Sequence, residues 1–334
     1  NGAALSAVTI DGGTGSDSIA AVGAYANVAT YKDMDSLILT AQSASSSTTV
    51  TGSSATAVTF GATTQALINS SSATVTVTAF ATGALNLSGA GDFAVSGQTT
   101  GTVTSTGAGA LTVTAGAAVT TVASASATSI VSASATTQAM NISGAGAYTV
   151  ADWVSTGTLT STNTGDTTIT LVNRATGTLA LGTDTTGTDT VIATALLDGK
   201  IVTMTGSNDA TVSFANGDVT ATAYAGAMTV TGTGTTGQYT TGTVSSSISS
   251  TGATAIVATA LADGQTLTTS GAGVTTITGL SADLVDTSTA AQVITLADVA
   301  TITLALGSDT TGTDAVTANA LTNGAITVTV TDAV

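Results

Sequence analysis

The side chains able to do chemistry in this 334-residue chain are few and nearly all of one kind. There is no His and no Cys, so the usual proton shuttle, thiol nucleophile and zinc ligands are missing. All 19 acidic residues are Asp, against only 3 basic ones, Lys32, Arg174 and Lys200, for a net charge of −16. A short carboxylate has two uses in such a chain. It hydrogen-bonds nearby backbone and tolerates the left-handed conformations of turns, and where several converge it holds a hard cation.

Most of the 19 read as turn residues, among them Asp198, Asp209, Asp218 and Asp263 beside Gly or Asn. Gly-rich spacing singles out the rest. Asp11-Gly12-Gly13-Thr14-Gly15-Ser16-Asp17-Ser18-Ile19 matches the G-G-x-G-x-D-x-U pattern of calcium-binding parallel β-rolls. Glycines let such a turn bring carbonyl oxygens inward, the Asp supplies charge, and the apolar residue starts a strand. In such rolls an ion lies between successive turns, so one copy leaves a calcium site and a plain Gly-rich turn both open. A second motif, Leu181-Gly182-Thr183-Asp184-Thr185-Thr186-Gly187-Thr188-Asp189, returns 125 positions on as Leu306-Gly307-Ser308-Asp309-Thr310-Thr311-Gly312-Thr313-Asp314. Each copy carries two carboxylates five positions apart around a Gly, at Asp184 and Asp189 and at Asp309 and Asp314. Polar turns capping strands are one reading; calcium loops are the other, favoured because the motif persists while its surroundings drift. The metal ligands expected are thus Asp11, Gly13, Gly15, Asp17, Asp184, Asp189, Asp309 and Asp314, with Ca2+ as the cofactor.

The elements that must carry these turns are strands. Period-2 alternation recurs in Val75-Thr76-Val77-Thr78, Leu111-Thr112-Val113-Thr114, Met228-Thr229-Val230-Thr231 and Ile326-Thr327-Val328-Thr329-Val330, each with one apolar and one Thr face. The chain is 43% hydrophobic but only 3% aromatic, with 38 Gly and no Pro, and roughly a quarter of it is Thr. Small and β-branched side chains suit thin layers, and the lack of Pro leaves every backbone donor free for a ladder. Leu85-Asn86-Leu87-Ser88-Gly89-Ala90-Gly91 returns 55 positions later as Met140-Asn141-Ile142-Ser143-Gly144-Ala145-Gly146. Such self-similarity marks a stacked array. The fold class expected is all-β, a repeat-built parallel β-solenoid, with a string of β-sandwich domains as the alternative. Its segments are a nonapeptide and lead-in over 1–40, an array of about 55-residue units over 41–175 and one of about 60–65-residue units over 176–334.

Composition also excludes functions. Three scattered cations cannot neutralise a nucleic-acid backbone, and they disfavour an anionic membrane surface. No run of about 18 apolar residues exists to span a bilayer. The first residues lack a charged segment followed by an apolar one, so export is expected to use a signal already removed or lying elsewhere. A pair of Asp could in principle hydrolyse a glycoside, and Arg174 or Lys200 could assist calcium in cleaving an acidic polysaccharide. An acidic protein repels that substrate, so the chain is not expected to be an enzyme. Trp153 reads as a cap or edge residue rather than a sugar platform.

The run Asp11 to Ile19, the segment Lys32-Asp33-Met34-Asp35-Ser36-Leu37-Ile38-Leu39-Thr40, the Thr-, Val- and Gly-rich strands and the Leu-Gly-Ser-Asp-Thr-Thr-Gly-Thr-Asp turn together resemble the RTX-type S-layer proteins of Gram-negative bacteria. The likeness in composition covers nearly the whole chain; the specific motifs cover about a tenth of it. The resemblance implies a secreted, calcium-dependent structural subunit of the bacterial cell surface, exported by type I secretion and self-assembling into a lattice or filament. It carries ligand roles to Gly13, Gly15 and Asp17 and, less directly, to Asp184, Asp189, Asp309 and Asp314. The chain departs from the family in having one nonapeptide rather than a run. The partners implied are further copies of the chain, with a cell-surface polysaccharide as a second class. Two other functions stay open: the stalk of a large RTX adhesin, and an ice-binding solenoid suggested by the Thr-x-Thr triplets. The latter needs the triplets in register on successive coils, and their spacing along the sequence wanders.

Overall fold

In the computed structural model the described residues are 8–20, 28–40, 47–61, 64–78, 83–96, 101–114, 120–131, 139–153, 157–172, 177–182, 187–298, 301–307, 313–318 and 324–330. They form short strands of three to seven residues and, among the described residues, no helix. Asp184 and Asp309 lie outside the described residues, as does Arg174. The chain divides into two compact units, 1–167 and 168–334.

Each unit is a parallel β-solenoid. In the first, strands alternate between two sheets, one running from Val8–Asp11 to Thr158–Asn163 and the other from Ser18–Ala20 to Tyr148–Trp153. Every strand pairs with the strand two places before or after it, in parallel. The second unit repeats the plan, from Gly177–Leu181 to Ala315–Thr317 in one sheet and from Thr167–Leu171, which straddles the boundary, to Ala325–Val330 in the other. Parallel pairing at every described ladder rules out β-sandwich domains, which are antiparallel.

Alternation fixes which side chains fill the interior. In the first unit Leu37, Val58, Val77, Val95, Val113, Ile130 and Val150 stack in register, each at most 2% exposed. In the second, Val202, Val219, Tyr239, Ile256, Ile277 and Ile294 form an equivalent column. Burying each such side chain contributes about 1.5–3 kcal/mol, and β-branching suits the extended backbone. Trp153 also lies inside, 1% exposed, in the last strand of its sheet within the first unit.

One coil takes between 17 residues, as from Ile201 to Asp218, and 25, as from Gly177 to Val202. The 55-residue likeness therefore spans three coils, and it does so slightly out of step. Leu85 stacks on Val103, Val122 and Ile142, whereas sequence likeness matches it to Met140. A two-residue offset leaves every side chain on the same face, so the likeness records inward and outward phase rather than coil register. Apart from one-residue bulges in the pairings at Thr203–Thr205 and Thr278–Leu280, the variation in coil length falls in the corners, and outward columns stay aligned across coils of different length. Thr168, Thr190, Thr211, Thr229, Ser247 and Thr268 follow one another on successive coils of the second unit. In the first unit outward hydroxyls bond to one another directly, as Thr59 and Thr78 do at 3.1 Å.

Candidate functional site

The corners between sheets hold most of the described carboxylates, and they use them in one recurring way. A corner Asp accepts a backbone N–H from the adjoining coil: Asp92 from Ala110 at 2.8 Å, Asp209 from Ala227 at 3.1 Å, Asp218 from Gln238 at 3.0 Å and Asp283 from Thr303 at 2.7 Å. These partners lie 18 or 20 residues apart, one coil. A charged acceptor makes such a bond stronger than a neutral one. The arrangement gives a physical reason for Asp without Glu: one methylene places the carboxylate beside the next coil's backbone while holding few rotamers to lose.

The nonapeptide forms the corner between Val8–Asp11 and Ser18–Ala20. Gly13 and Gly15 have φ of 77° and 137°, a region that excludes most side chains. Asp11 Oδ1 accepts the Gly13 N–H at 3.1 Å, and its Oδ2 accepts Lys32 Nζ at 2.7 Å from the next coil. That ammonium hydrogen bond holds the Asp11 carboxyl below its ordinary range and raises the lysine. Asp17 donates its N–H to Asp35 Oδ2 at 2.8 Å and offers its carbonyl to the Asp35 and Ser36 amides. Asp17 Oδ2 is shielded from solvent with no hydrogen-bond partner. The corner thus brings Asp17 to Asp35, while Asp11 turns to Lys32. Asp33, the one non-glycine residue with positive φ among those described, accepts the Ser53 N–H at 2.8 Å.

The two copies of the nine-residue motif do not occupy equivalent places. Leu181 ends a strand of one sheet and Leu306 ends a strand of the other, so the copies sit at opposite corners of the coil. Asp189 is 1% exposed and its Oδ2 accepts Asn208 Nδ2 at 3.1 Å from the next coil. Asp314 Oδ1 accepts the Gln292 N–H at 2.7 Å from the preceding one. Both are coil-to-coil links. Among the described residues no three acidic side chains are grouped so as to hold a metal ion.

Two further corners went unnoticed in the sequence. Asn69-Ser70-Ser71-Ser72-Ala73 and Asp286-Thr287-Ser288-Thr289-Ala290 share one backbone plan. In each, the side-chain Oδ1 of the first residue accepts the N–H of the Ser two places on, at 2.9 Å for Asn69 and 3.0 Å for Asp286. That Ser donates its hydroxyl to the carbonyl of the closing Ala, at 2.8 and 3.1 Å. The intervening amides reach back to the preceding coil. Asn69 is 0% and Asp286 3% exposed. The available signal was phase: Asp286 follows Leu284 at the inward step of an alternating strand, where an acid is out of place.

Two surface indentations of about 220 and 170 Å³ are lined by Thr, Ala, Gly, Leu and Val, with no ionisable side chain. Among the described residues no helix is long and apolar enough to cross a membrane. No family model matches the chain, and no curated protein or solved structure matches it.

Proposed function

We propose that this chain is a structural segment of a bacterial extracellular surface layer or filament, secreted, non-catalytic, and ordered by calcium. The observation that carries the reading is the use of the carboxylates: seven described Asp residues, Asp33, Asp35, Asp92, Asp209, Asp218, Asp283 and Asp314, accept backbone N–H groups across adjoining coils. Acidic groups placed this way brace a long stack rather than line a cleft. At a net charge of −16 copies of the chain repel one another, and a divalent cation relieves repulsion that monovalent salt only screens. Asp17, with a solvent-shielded oxygen lacking a partner, is the described member of the Gly-rich loops best suited to take part. Electron microscopy of the purified protein in calcium and in chelator tests the reading. Sheets or filaments that dissolve in chelator support it; dispersed single particles in both oppose it.

Ice binding is the second reading, favoured by one observation. The columns Thr168, Thr190, Thr211, Thr229, Ser247, Thr268 and Thr170, Ile192, Ser213, Thr231, Ser249, Ser270 run side by side on one face in register. They set side chains about 4.8 Å apart across coils and about 6.7 Å apart along strands. Five of the six positions in the second column are hydroxyls, with Ile192 the exception. Growth of an ice crystal in the protein solution decides it: unarrested growth ends this reading.

A further inference from the structure

Two side-chain oxygens of the corner at Asp286 are left without a hydrogen to accept. Asp286 Oδ1 takes the Ser288 N–H and, at 2.7 Å, the Thr269 hydroxyl. Gln292 Nε2 gives its two hydrogens to Ser288 Oγ at 2.6 Å and to the Ala290 carbonyl at 2.7 Å. The Ser288 hydroxyl gives its own to the same carbonyl. The side-chain donors of this turn are then used up. Asp286 Oδ2 and Gln292 Oε1 remain, both shielded from solvent and both without a partner, on residues 3% and 0% exposed.

The Asn69 corner shows what belongs there. In the same local frame, Asn69 Nδ2 donates to the Ala73 carbonyl at 3.1 Å and to the Asp92 carbonyl of the next coil at 2.8 Å. Val75 stands six places after Asn69, where Gln292 stands six places after Asp286. Gln292 has taken over the donation to the Ala carbonyl, and the second side-chain atom of residue 286 has changed from a donor into a charged acceptor. Two deficits result: two unpaired oxygens and one buried negative charge, which is costly unless paired. A water would satisfy the oxygens and leave the charge.

We propose that this corner is a calcium site, with Asp286 Oδ2 and Gln292 Oε1 as its side-chain ligands. A hard cation bound by carboxylate, amide and carbonyl oxygens meets both deficits at once. Gly307 of the following coil leaves room above it: a Cβ there would lie 2.9 Å from the Asp286 carbonyl oxygen and 3.5 Å from that of Ser288. Asp314, bonded to the Gln292 N–H, brings a second negative charge to the same corner, which suits a divalent ion. The site is separate from the Gly-rich loops and does not depend on their binding calcium.

The test is calorimetric titration of calcium-stripped full-length protein with calcium chloride, paired with thermal melting in calcium and in chelator, for the native chain and for Asp286→Asn and Asp17→Asn. Asp286→Asn is expected to lose one binding equivalent that Asp17→Asn keeps. It is also expected to melt above the native chain in chelator, because its amide restores the missing donor, and to lose that advantage in calcium. Equal stoichiometry in native and Asp286→Asn protein overturns the proposal, as does a native chain that melts higher in chelator. If Asp286→Asn does not fold, Gln292→Glu gives the reading: at least about tenfold tighter binding supports the site, and unchanged affinity overturns it. Loss of calcium effects on assembly with this site intact would count against the surface-layer reading alone.

Discussion

The Asn69 corner of the first unit and the Asp286 corner of the second share a local backbone plan, a Ser and an Ala carbonyl, and they differ in one side-chain atom of the leading residue and in the residue six places on, Val75 or Gln292. In the first an amide nitrogen joins two carbonyls across coils; in the second a carboxylate oxygen has nothing to accept. The column through Asn69 runs from Tyr31 and Val50 to Asn69, and the column through Asp286 from Val191, Val212, Val230 and Ile248 to Thr269 and Asp286, so each turns from apolar to polar at its corner and they part only in the kind of polar group placed there. A parallel solenoid tolerates either because its backbone ladder supplies the frame. The side chain then decides whether a corner is self-sufficient or requires something from solution.

Converting one corner into the other gives the largest expected effect. Asn69→Asp removes two part-buried hydrogen bonds and adds a charge at a fully buried residue with no Gln six places on to help it. The first unit should lose about 3–5 kcal/mol of stability, measured by urea unfolding. A smaller loss follows from removing one donor at the second corner. Thr269→Val keeps volume but strips Asp286 Oδ1 of a bond to a charged acceptor, with an expected cost of about 1.5–3 kcal/mol in chelator. Smaller again is Asp92→Ala, which frees the exposed Ala110 amide to water and should cost about 1 kcal/mol. These three values rank the corners, and an Asp92→Ala loss as large as that of Asn69→Asp would break the ranking.

The last contrast is silent at neutral pH. Burial pushes the Tyr148 phenol, in the first unit, up to about 12, with its hydroxyl donating to the Ser143 carbonyl at 2.6 Å, and burial also pushes Tyr239, in the second, up to about 12. An unfolded chain releases these protons near 10, so between pH 10 and 12 the folded state holds more protons than the unfolded one. Stability from this source is complete below about pH 10 and falls as pH rises through that window. Melting temperatures at pH 9 and pH 11, with tyrosinate absorbance followed in parallel, check the sign. Both units should weaken, the second having a further tyrosine, Tyr224, that burial raises in the same direction.

Strand phase was legible because alternation such as Val75-Thr76-Val77-Thr78 reports directly which side chains face inward. Coil register was not. Coils vary from 17 to 25 residues, so no fixed spacing says that Asp92 will meet the amide of Ala110 or that Leu85 will stack on Val103. The recurrence of Leu181 to Asp189 as Leu306 to Asp314 suggested equivalent sites, yet a spacing that is not a whole number of coils puts the copies at opposite corners. Gly neighbours drew attention to Asp11 and Asp17. Asp286 lacks them, since a corner closed by Ser288 and Gln292 needs no left-handed residue, and its oddity lies only in falling on the inward phase of Asp283–Asp286.

On the reading proposed above, the acids of this chain make it a calcium-ordered structural stack. Thermal melting and light scattering of one preparation, in calcium, in chelator, and in sodium chloride at matched ionic strength, test it most directly. Calcium alone is expected to raise the melting temperature and drive assembly, because binding to the folded form stabilises it by mass action. Sodium chloride at matched ionic strength that restores both as well as calcium does would contradict it and leave the corners as ordinary turns.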